Sequence, residues 1–288
     1  LYSIVDDEWS QFSPEWEKLF NIHDSSRSIE QTTQLSALEA AGEVGEGEQV
    51  PSQRIYQGYD KTYRHLKYGI ITPMSQESID DGNFDLMAKN SRKLARAYNE
   101  TVMIKAAEIF NDGFSTNGPD GVPLFSTSHP LLAPGVGTTS NRLAVDADLS
   151  TTSLKALLTV MRKVKDSAGN KLNIKSSILL VPSDLEFTAT ELLDSEMLVD
   201  SANASVNAVN SVKSRYGILP VIMDHLTDDD AWFLASQKDD HELHFFWRKR
   251  PQVSSESESR SEVELMKISG RFSVGYSDFR GVAGTTGA

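Results

Sequence analysis

Ser273 comes nearest in this sequence to a catalytic nucleophile, because glycines flank it in Gly270-Arg271-Phe272-Ser273-Val274-Gly275. A nucleophile elbow requires Gly-x-Ser-x-Gly, so that the serine sits on a strained turn between a strand and a helix. Here the first glycine lies one residue too far from the serine, and the surrounding residues are typical of a strand. We therefore interpret Ser273 as a strand residue and not as a nucleophile.

Two short glycine pairs could approach a phosphate group, Gly45-Glu46-Gly47 and Gly135-Val136-Gly137. Dinucleotide and phosphate loops need their glycines after a strand and before a helix, with a further glycine or a lysine nearby. Neither pair has that context. We interpret both as loop glycines and predict no cofactor.

The best candidate for a metal site is the group His241, Glu242 and His244, because neighbouring histidines and carboxylates can bind a metal ion. On a strand, however, successive side chains alternate between faces, so His241 and His244 would point in opposite directions. The helical zinc motif instead places its histidines four residues apart. We interpret the group as part of an exposed strand, and the acidic run Asp228-Asp229-Asp230 as a turn between strands.

The remaining histidines are scattered, and we interpret each as structural: His23, His65, His129 and His225. With 41 acidic residues in the chain, carboxylate pairs occur throughout and identify no acid–base site. We predict no catalytic, cofactor-binding or metal-binding residue. A soluble hydrolase that uses His129 or His244 remains an alternative of a different class.

The composition is that of an ordinary folded protein, with 39% hydrophobic and 24% charged residues among 288. The absence of cysteine excludes disulfides and thiolate chemistry. No apolar run is long enough to span a bilayer, so we predict no membrane partner. The net charge of −13 disfavours binding driven by DNA phosphates, which depends on clustered Lys and Arg. Because the chain begins with Leu1, we expect a segment to precede it in the gene product.

The clearest predicted element is a long amphipathic helix over residues 83–112. Leu94, Tyr98 and Val102 recur in it at intervals of four residues, and Gly113 ends the pattern. At 1.5 Å per residue such a helix would be about 45 Å long, well beyond the average helix of a globular protein. We expect it to run along the subunit as a backbone element.

The elements after this helix predict an α+β fold. Residues 115–140 are rich in turn-forming Gly, Pro, Ser and Thr. A second helix is predicted after the N-cap candidates Ser150–Thr152, then a buried strand over 177–182 and a third helix from Ser183 to Leu193. The last third alternates turns with short strands, which are predicted at 218–223, 231–234, 243–247, 263–268 and 272–276, with a polar loop at 254–261.

Residues 37–49 are small, glycine-rich and acidic, which predicts an exposed loop or hairpin tip. After Pro51 the chain becomes β-like and basic, so the two arms of this region have opposite charge. The charges can pair within the hairpin or reach an adjacent subunit. The residues predicted to make such inter-subunit contacts are Glu43, Glu46, Glu48, Arg54, Lys61, Arg64 and Lys67.

Four stretches of the sequence carry a resemblance to a known family: Asp120-Gly121-Val122-Pro123-Leu124-Phe125 with His129, Ile178 to Glu186, Asp230 to Leu234, and Gly270 to Gly281. In this order and spacing they resemble the major capsid proteins of tailed bacteriophages, which have the Hong-Kong-97-type capsid fold. The likeness is greatest to the Mu-like head-subunit branch. It covers nearly the whole chain.

The resemblance implies an N-terminal arm over residues 1–29, with Trp9, Phe12 and Trp16 as candidate anchors on a neighbour. It implies an extended hairpin loop over residues 30–75 that overlaps an adjacent subunit. Some family members form covalent crosslinks between a lysine in this loop and an asparagine elsewhere. Because no motif identifies a partner asparagine here, we predict no crosslink.

The resemblance also implies two domains. A peripheral domain would occupy residues 76–182, with the helix at 83–112 as its spine. An axial domain would occupy residues 183–255 and meet its copies around five-fold and six-fold axes. Strands within residues 256–288 would return to the peripheral domain.

The implied function is structural and not enzymatic: self-assembly into pentamers and hexamers that form an icosahedral head around double-stranded DNA. The implied partners are further copies of the chain, a scaffold, a portal and decoration proteins, with only weak, non-specific contact to DNA. The implied location is the virion capsid, assembled in the cytoplasm of the bacterial host. The nearest alternative is an encapsulin-like nanocompartment shell. A tail or adhesion protein is disfavoured because the sequence contains no internal repeat.

Overall fold

The computed structural model describes residues 14–75, 77, 80, 84–132, 137–194, 211–258 and 263–288. They form helices and strands in two compact units. Unit 1 contains the described parts of Leu1–Glu30, Thr62–Ile109 and His244–Gly275, and unit 2 contains those of Gln31–Lys61, Phe110–Leu243 and Tyr276–Ala288. The mixture of helices and sheets confirms the predicted α+β class.

The elements that begin in or contribute to unit 1 are α1 (Trp16–Leu19), β1 (Asn21–Asp24), β4 (Leu66–Ser75), α2 (Phe84–Asn111), β10 (Leu243–Glu258) and β11 (Val263–Tyr276). The four strands form one sheet with the order β1-β10-β11-β4. Strand β1 pairs in parallel with β10, and β11 pairs antiparallel with β4 over ten residues.

Aromatic side chains form much of the core of unit 1. Trp16 stacks on Phe245 with the ring centroids 4.3 Å apart, and Phe245 in turn stacks on Phe272 at 5.2 Å. Trp16 is buried within its own chain, so its predicted role as an anchor on a neighbouring subunit is wrong. Trp9 and Phe12 lie outside the described residues.

Helix α2 agrees with the predicted helix at 83–112 to within one residue at each end. The side chains spaced for one face are buried, including those of Leu94, Tyr98, Val102 and Ala106. This apolar stripe explains why so long a segment stays helical, since isolated helices are marginal in water and helices in proteins are stabilised mainly by packing of one face.

The elements of unit 2 include β5 (His129–Pro130), β6 (Thr138–Thr139), α3 (Thr151–Lys163), β7 (Ser176–Val181), α4 (Glu186–Asp194), α5 (Ser211–Tyr216), β8 (Leu219–Ile222), β9 (Trp232–Ser236) and β12 (Val282–Thr285), with short 3₁₀ turns at Ser183–Leu185 and Lys238–Asp240. Four of the strands form a second sheet with the order β12-β9-β7-β8. Strand β7 lies parallel to β8 and antiparallel to β9, which is antiparallel to β12.

The sequence explains the packing of α3 against this sheet. Ser150 caps the helix in a reciprocal capping box with Ser153, as the N-cap prediction requires. Leu154, Leu157 and Met161 then lie on one buried face and join the core cluster that includes the sheet residues. The predicted helix from Ser183 to Leu193 is confirmed as a 3₁₀ turn followed by α4.

Two further strands, β2 (Ile29–Leu35) and β3 (Gln57–Arg64), pair with each other as a two-stranded sheet. Residues 36–56 connect them. Residues 66–75, which the sequence placed in the extended loop, form strand β4 of the sheet in unit 1.

Several predicted boundaries are corrected by the structure. The predicted strands at 263–268 and 272–276 are one strand, β11, and the predicted polar loop at 254–261 begins within β10, which continues to Glu258. Backbone hydrogen bonds hold a strand whatever its side chains, so a run of Ser and Glu can continue it. Residues 259–262 lie outside the described part of the chain.

The predicted division into a peripheral and an axial domain stays a prediction, and two of its boundaries can be located in the structure. Strand β7, assigned by the prediction to the peripheral domain, pairs with β9, assigned to the axial domain. The boundary at 255/256 falls inside β10. The sheet of unit 2 therefore joins segments that the sequence interpretation had separated.

Candidate self-association surface

The connection between β2 and β3 projects as an exposed segment, which we call the acidic loop and define as residues 36–56. Every residue from Ala40 to Ser52 is exposed. The segment contains a turn at Glu46-Gly47, and Glu48 closes it through a contact of its carboxylate with the amide of Gly45 at 3.2 Å. It matches the sequence prediction of an exposed loop over residues 37–49.

The base of the acidic loop is held by hydrogen bonds to other parts of unit 2. The amide of Ala37 donates to the hydroxyl of Ser167 at 2.5 Å, and the side-chain amide of Asn170 donates to the carbonyl of Leu38 at 3.1 Å. Ser36 and Tyr56 pair across the neck of the loop through their backbones at 2.9 Å. The base of the loop is therefore fixed by hydrogen bonds, while its tip is exposed to solvent.

A charged pair next to the C-terminus of β11 reinforces this base. Asp278 accepts hydrogen bonds from the guanidinium of Arg280 at 2.5 Å and from the side-chain amide of Gln34 on β2 at 2.8 Å. Arg280 also donates to the carbonyl of Lys165 at 2.9 Å. These contacts tie β2 to the turn that follows α3.

The acidic loop exposes large apolar side chains as well as charges. Val50 is 72% exposed, Tyr56 63% and Leu35, just before the loop, 64%, and Leu38 and Ile55 are more than half exposed. Single exposed apolar residues are normal on a protein surface, but several on one protruding segment are typical of a surface that another molecule covers.

Six of the seven predicted contact residues are exposed: Glu43, Glu46, Glu48, Arg54, Arg64 and Lys67. Lys61 differs, because its ammonium lies 5.3 Å from the centre of the Tyr276 ring and burial lowers the pKa of its amine. Among the described residues, none of the seven forms an ion pair with a carboxylate or a base. Pairing within the hairpin, one of the two uses considered for these charges, is therefore not observed.

Beside the loop base, His129 occupies the centre of a buried network that sequence reasoning missed. Its Nδ1 lies 2.6 Å from the carboxylate of Asp120, and its Nε2 lies 3.0 Å from the side-chain oxygen of Asn141. The ring also stacks on Phe279 with the centroids 3.7 Å apart. His129 is fully buried, so a substrate could not reach it. This burial argues against His129 as a catalytic residue of a hydrolase.

Asn141 fixes the orientation of this network. Its amide nitrogen donates to the carbonyls of Leu124 at 2.7 Å and Val282 at 3.2 Å, so its oxygen faces His129 and accepts a hydrogen bond from the Nε2–H group. The same oxygen accepts from the amide of Ser126 at 2.9 Å. No motif in the sequence indicated Asn141, because its partners are up to 141 residues away.

Gly281, the last residue of the family-like stretch Gly270 to Gly281, lies in a tight turn next to the His129 network. Gly281 has φ +86°, and a Cβ at this position would lie 2.5 Å from the carbonyl oxygen of Asp240. Only glycine combines that backbone conformation with so close an approach. The turn that it allows leads from Phe279, under His129, into strand β12.

Ser273 proves to have a histidine partner, although it lies on a strand as predicted. Its hydroxyl is 3.0 Å from Nδ1 of His65, whose Nε2 is 3.1 Å from the hydroxyl of Ser25. Ser25 donates to a carboxylate oxygen of Glu30 at 2.6 Å. His65 is 3% exposed and is held between two hydroxyls, which makes this chain of hydrogen bonds a buried structural network of unit 1.

His241 and the acidic turn at 228–230 are also structural. His241 precedes β10 and is buried, so its predicted place on an exposed strand is wrong; its Nδ1 accepts from the amide of Leu243 at 3.3 Å. Asp228 and Asp230 form the predicted turn, in which the amide of Asp230 donates to Asp228 at 3.2 Å. Within the described residues, no group of three or more His, Asp or Glu side chains could hold a metal ion. No described helix is long and apolar enough to cross a membrane.

Comparison with solved structures places this fold among those of phage capsids. A structure from Microbacterium phage Oxtober96 superposes with a TM-score of 0.59 at 14% identity, over 96% of this chain and 91% of that one. The capsid of an empty GTA particle gives 0.59 at 13% identity, over 96% and 91%. The procapsid of bacteriophage JBD30 gives 0.57 at 12% identity, over 99% of this chain and 72% of that one.

The sequence itself then identifies the family. A model of the family described as phage capsid protein matches residues 58–284, which is most of the chain. A search of curated protein sequences with this chain found no match. The chain belongs to the phage capsid protein family.

Proposed function

We propose that this chain is the major capsid protein of a tailed phage, a structural subunit of an icosahedral head that assembles with copies of itself. Membership of the phage capsid protein family supports this function. So does the fold, since similar structures include the capsid of a particle and a procapsid. In the proposed head, pentamers and hexamers of the chain enclose double-stranded DNA.

The acidic loop is the observation in this molecule that best supports self-assembly. Ordering a backbone residue costs roughly 1–2 kcal/mol, and an exposed loop tip recovers little of this cost by itself. Burying a Val or Ile side chain contributes about 1.5–3 kcal/mol. The apolar side chains of Val50, Ile55 and Tyr56 therefore stabilise the loop only once another molecule covers them.

The finer features of the function follow the same proposal. The acidic loop overlaps a neighbouring subunit, α2 serves as a spine, and the chain assembles in the cytoplasm of the bacterial host together with a scaffold and a portal, with decoration proteins added to the head. The subunit performs no catalysis. Its buried histidine networks support this part of the proposal, since they leave His129 and His65 inaccessible.

One comparison favours a second candidate, an encapsulin-like compartment shell. A crystal structure of a virus-like particle from Pyrococcus furiosus superposes with a TM-score of 0.60 at 8% identity, over 98% of this chain and 96% of that one. The contents of purified particles separate the two functions. A phage head encloses DNA, whereas a compartment encloses protein cargo.

Electron microscopy combined with mass determination in solution tests the proposed function. The full gene product, expressed with any scaffold encoded beside it, should form closed shells or rings of five and six subunits. The double variant Val44→Asp and Val50→Asp should remain dissociated, because both positions are exposed on the acidic loop.

The matched control is Val145→Asp, a residue that is 81% exposed in unit 2 outside the loop. This variant should assemble as the unchanged chain does. If the unchanged chain stays a monodisperse monomer with the scaffold present, the capsid function is refuted. Shells that form equally well from the loop variant would refute the role of the loop.

A further inference from the structure

A basic groove lies on the sheet of unit 1, across three neighbouring strands. We define it by Lys67 on β4, Lys249 on β10, and Lys267 and Arg271 on β11. The groove has a volume of about 430 Å³. No Asp or Glu is among the described residues that line it. This concentration of positive charge is unusual for a chain with a net charge of −13.

The strand register explains how the groove is formed. Lys267, Ser269 and Arg271 alternate on β11 with the buried Met266, Ile268 and Phe272, so the two sets lie on opposite faces of the strand. Ser269 is paired across the ladder with Gly69, and two such small residues leave a low floor between the longer basic side chains.

The same register brings like charges together without compensation. Arg271 is directly opposite Lys67 on the adjacent strand, an arrangement that is destabilising in an isolated sheet. Among the described residues, none of the four bases lies within 4.0 Å of a carboxylate. The groove thus has four cationic groups and no internal anion, and an anionic partner would remove the repulsion between them.

We propose that the basic groove binds the acidic loop of a second copy of this chain. This inference rests on the proposed self-assembly and names the surface that receives the loop. From Glu39 to Glu48 the loop contains four glutamates and no Lys or Arg, and all four glutamates are exposed. The stretch from Glu39 to Glu48 and the groove therefore carry four charges each, opposite in sign.

DNA phosphate is the other polyanion that such a groove could bind, and the charge of the whole chain disfavours it. Binding to the DNA backbone depends on a positive field over the approaching surface, whereas this chain has 41 acidic and 28 basic residues. The acidic loop belongs to the same assembly and is present at the same concentration as the groove. It also lacks any other observed ion pair among the described residues.

A charge exchange tests the contact. The loop variant combines Glu39→Lys, Glu43→Lys and Glu46→Lys; it leaves Glu48 unchanged, because that side chain closes the turn at the tip. The groove variant combines the changes Lys67→Glu, Lys249→Glu and Lys267→Glu. Arg271 is unchanged in it, because its guanidinium donates to the carbonyl of His65 at 3.3 Å.

Each triple variant alone should lower the assembled fraction about tenfold or more, since it places like charges across the contact. The variant that combines all six changes should recover assembly, because the pairs are restored with reversed sign. A control with Lys155→Glu, Lys171→Glu and Lys175→Glu makes the same change in net charge at exposed positions outside the groove, and it should assemble normally. Melting temperatures of dissociated subunits establish that each variant is folded.

Carbodiimide coupling of unchanged shells, followed by mass spectrometry, gives a test that needs no variant. It should link a glutamate of the loop to a lysine of the groove, and mixing isotope-labelled with unlabelled subunits should show that the two belong to different copies.

Three results would each overturn the proposal: a groove variant that assembles normally, a control that fails equally, or coupling of these residues only within one copy. So would shells that form normally from the groove variant but package less DNA, which would assign the groove to DNA. Failure of the unchanged chain to assemble would instead refute the proposed function.

Discussion

Two irregular segments of unit 2 are both rich in turn-forming residues but differ in their exposure to solvent. The acidic loop and residues 117–132 are both rich in small and turn-forming residues, and neither contains a helix. In the second segment, Leu124, Phe125 and His129 are buried, and Asn141 joins the segment to β12 by hydrogen bonds. In the acidic loop, the hydrogen bonds are concentrated at the base and the tip is exposed.

The difference separates what a single subunit stabilises from what it leaves to its neighbours. In residues 117–132, the buried side chain of His129 and the carbonyl of Leu124 have hydrogen-bond partners within the chain, so the order of this segment is part of the folding free energy of the subunit. The acidic loop presents exposed glutamates and apolar side chains, and the proposed assembly gives them partners on a neighbouring copy. We expect substitutions in the first segment to change stability and substitutions in the second to change assembly.

The largest effect on stability is expected for Asn141→Ala. This change leaves the carbonyls of Leu124 and Val282 and the Nε2 proton of His129 without partners in a buried site. Each unsatisfied group costs about 1–3 kcal/mol, so the free energy of unfolding should fall by about 3 kcal/mol or more. Urea denaturation of the dissociated subunit measures it.

The exposed Asn117 offers a matched control for this substitution. Asn117→Ala should change the free energy of unfolding by no more than about 0.5 kcal/mol. If Asn141→Ala were equally mild, the buried network would not be what distinguishes residues 117–132 from the acidic loop.

A pH-dependent effect of intermediate size is expected from His65, which extends the comparison to a buried network in unit 1. Burial lowers the pKa of its imidazole from the ordinary value of 6.5, and Arg271 and Arg248 act in the same direction, whereas Glu30 opposes them. Below pH 6.5 the unfolded chain therefore binds a proton that the folded subunit resists, and stability falls as the pH falls.

Hydrogen bonding agrees with this direction. Ser25 donates to Glu30 and so accepts from Nε2 of His65, which leaves Nδ1 to accept from the hydroxyl of Ser273. Protonation of Nδ1 would remove that acceptor. Melting of the dissociated subunit between pH 7 and pH 5 should show less acid sensitivity for His65→Gln than for the unchanged chain. Equal acid sensitivity in the two would contradict the neutral His65.

The smallest effect on stability is expected at the tip of the acidic loop. Val44→Asp with Val50→Asp should change the free energy of unfolding of the dissociated subunit by less than about 0.5 kcal/mol, because both side chains are exposed. Differential scanning calorimetry on dissociated protein checks this. A loss comparable to that of Asn141→Ala would mean that the tip packs within its own subunit, and the comparison would fail.

The sequence predicted the elements whose signals are local. Helix α2 follows from apolar residues at intervals of four, α3 from Ser150 and the leucines after it, and β7 from a continuous apolar run. Strand β1 and the polar end of β10 were missed because their stability comes from pairing with distant strands. Propensity alone cannot reveal such a partner.

The candidate surfaces divide in the same way. The exposure of Glu43, Glu46 and Glu48 could be predicted, since an acidic, glycine-rich segment cannot form a core. The basic groove could not, because only the strand order β10-β11-β4 brings Lys249 and Lys267 beside Lys67. The Asn141 network was likewise hidden, since its members come from three separate segments.

Amide hydrogen exchange of residues 40–52, measured in dissociated subunits and in assembled shells, shows whether assembly covers the acidic loop. We expect fast exchange in the free subunit, where this segment is exposed, and a large decrease in rate on assembly as a neighbour covers it. Residues 124–131, already ordered by the Asn141 network, should exchange slowly in both states. Equal, fast exchange of residues 40–52 in shells and in free subunits would contradict the claim that assembly completes this loop.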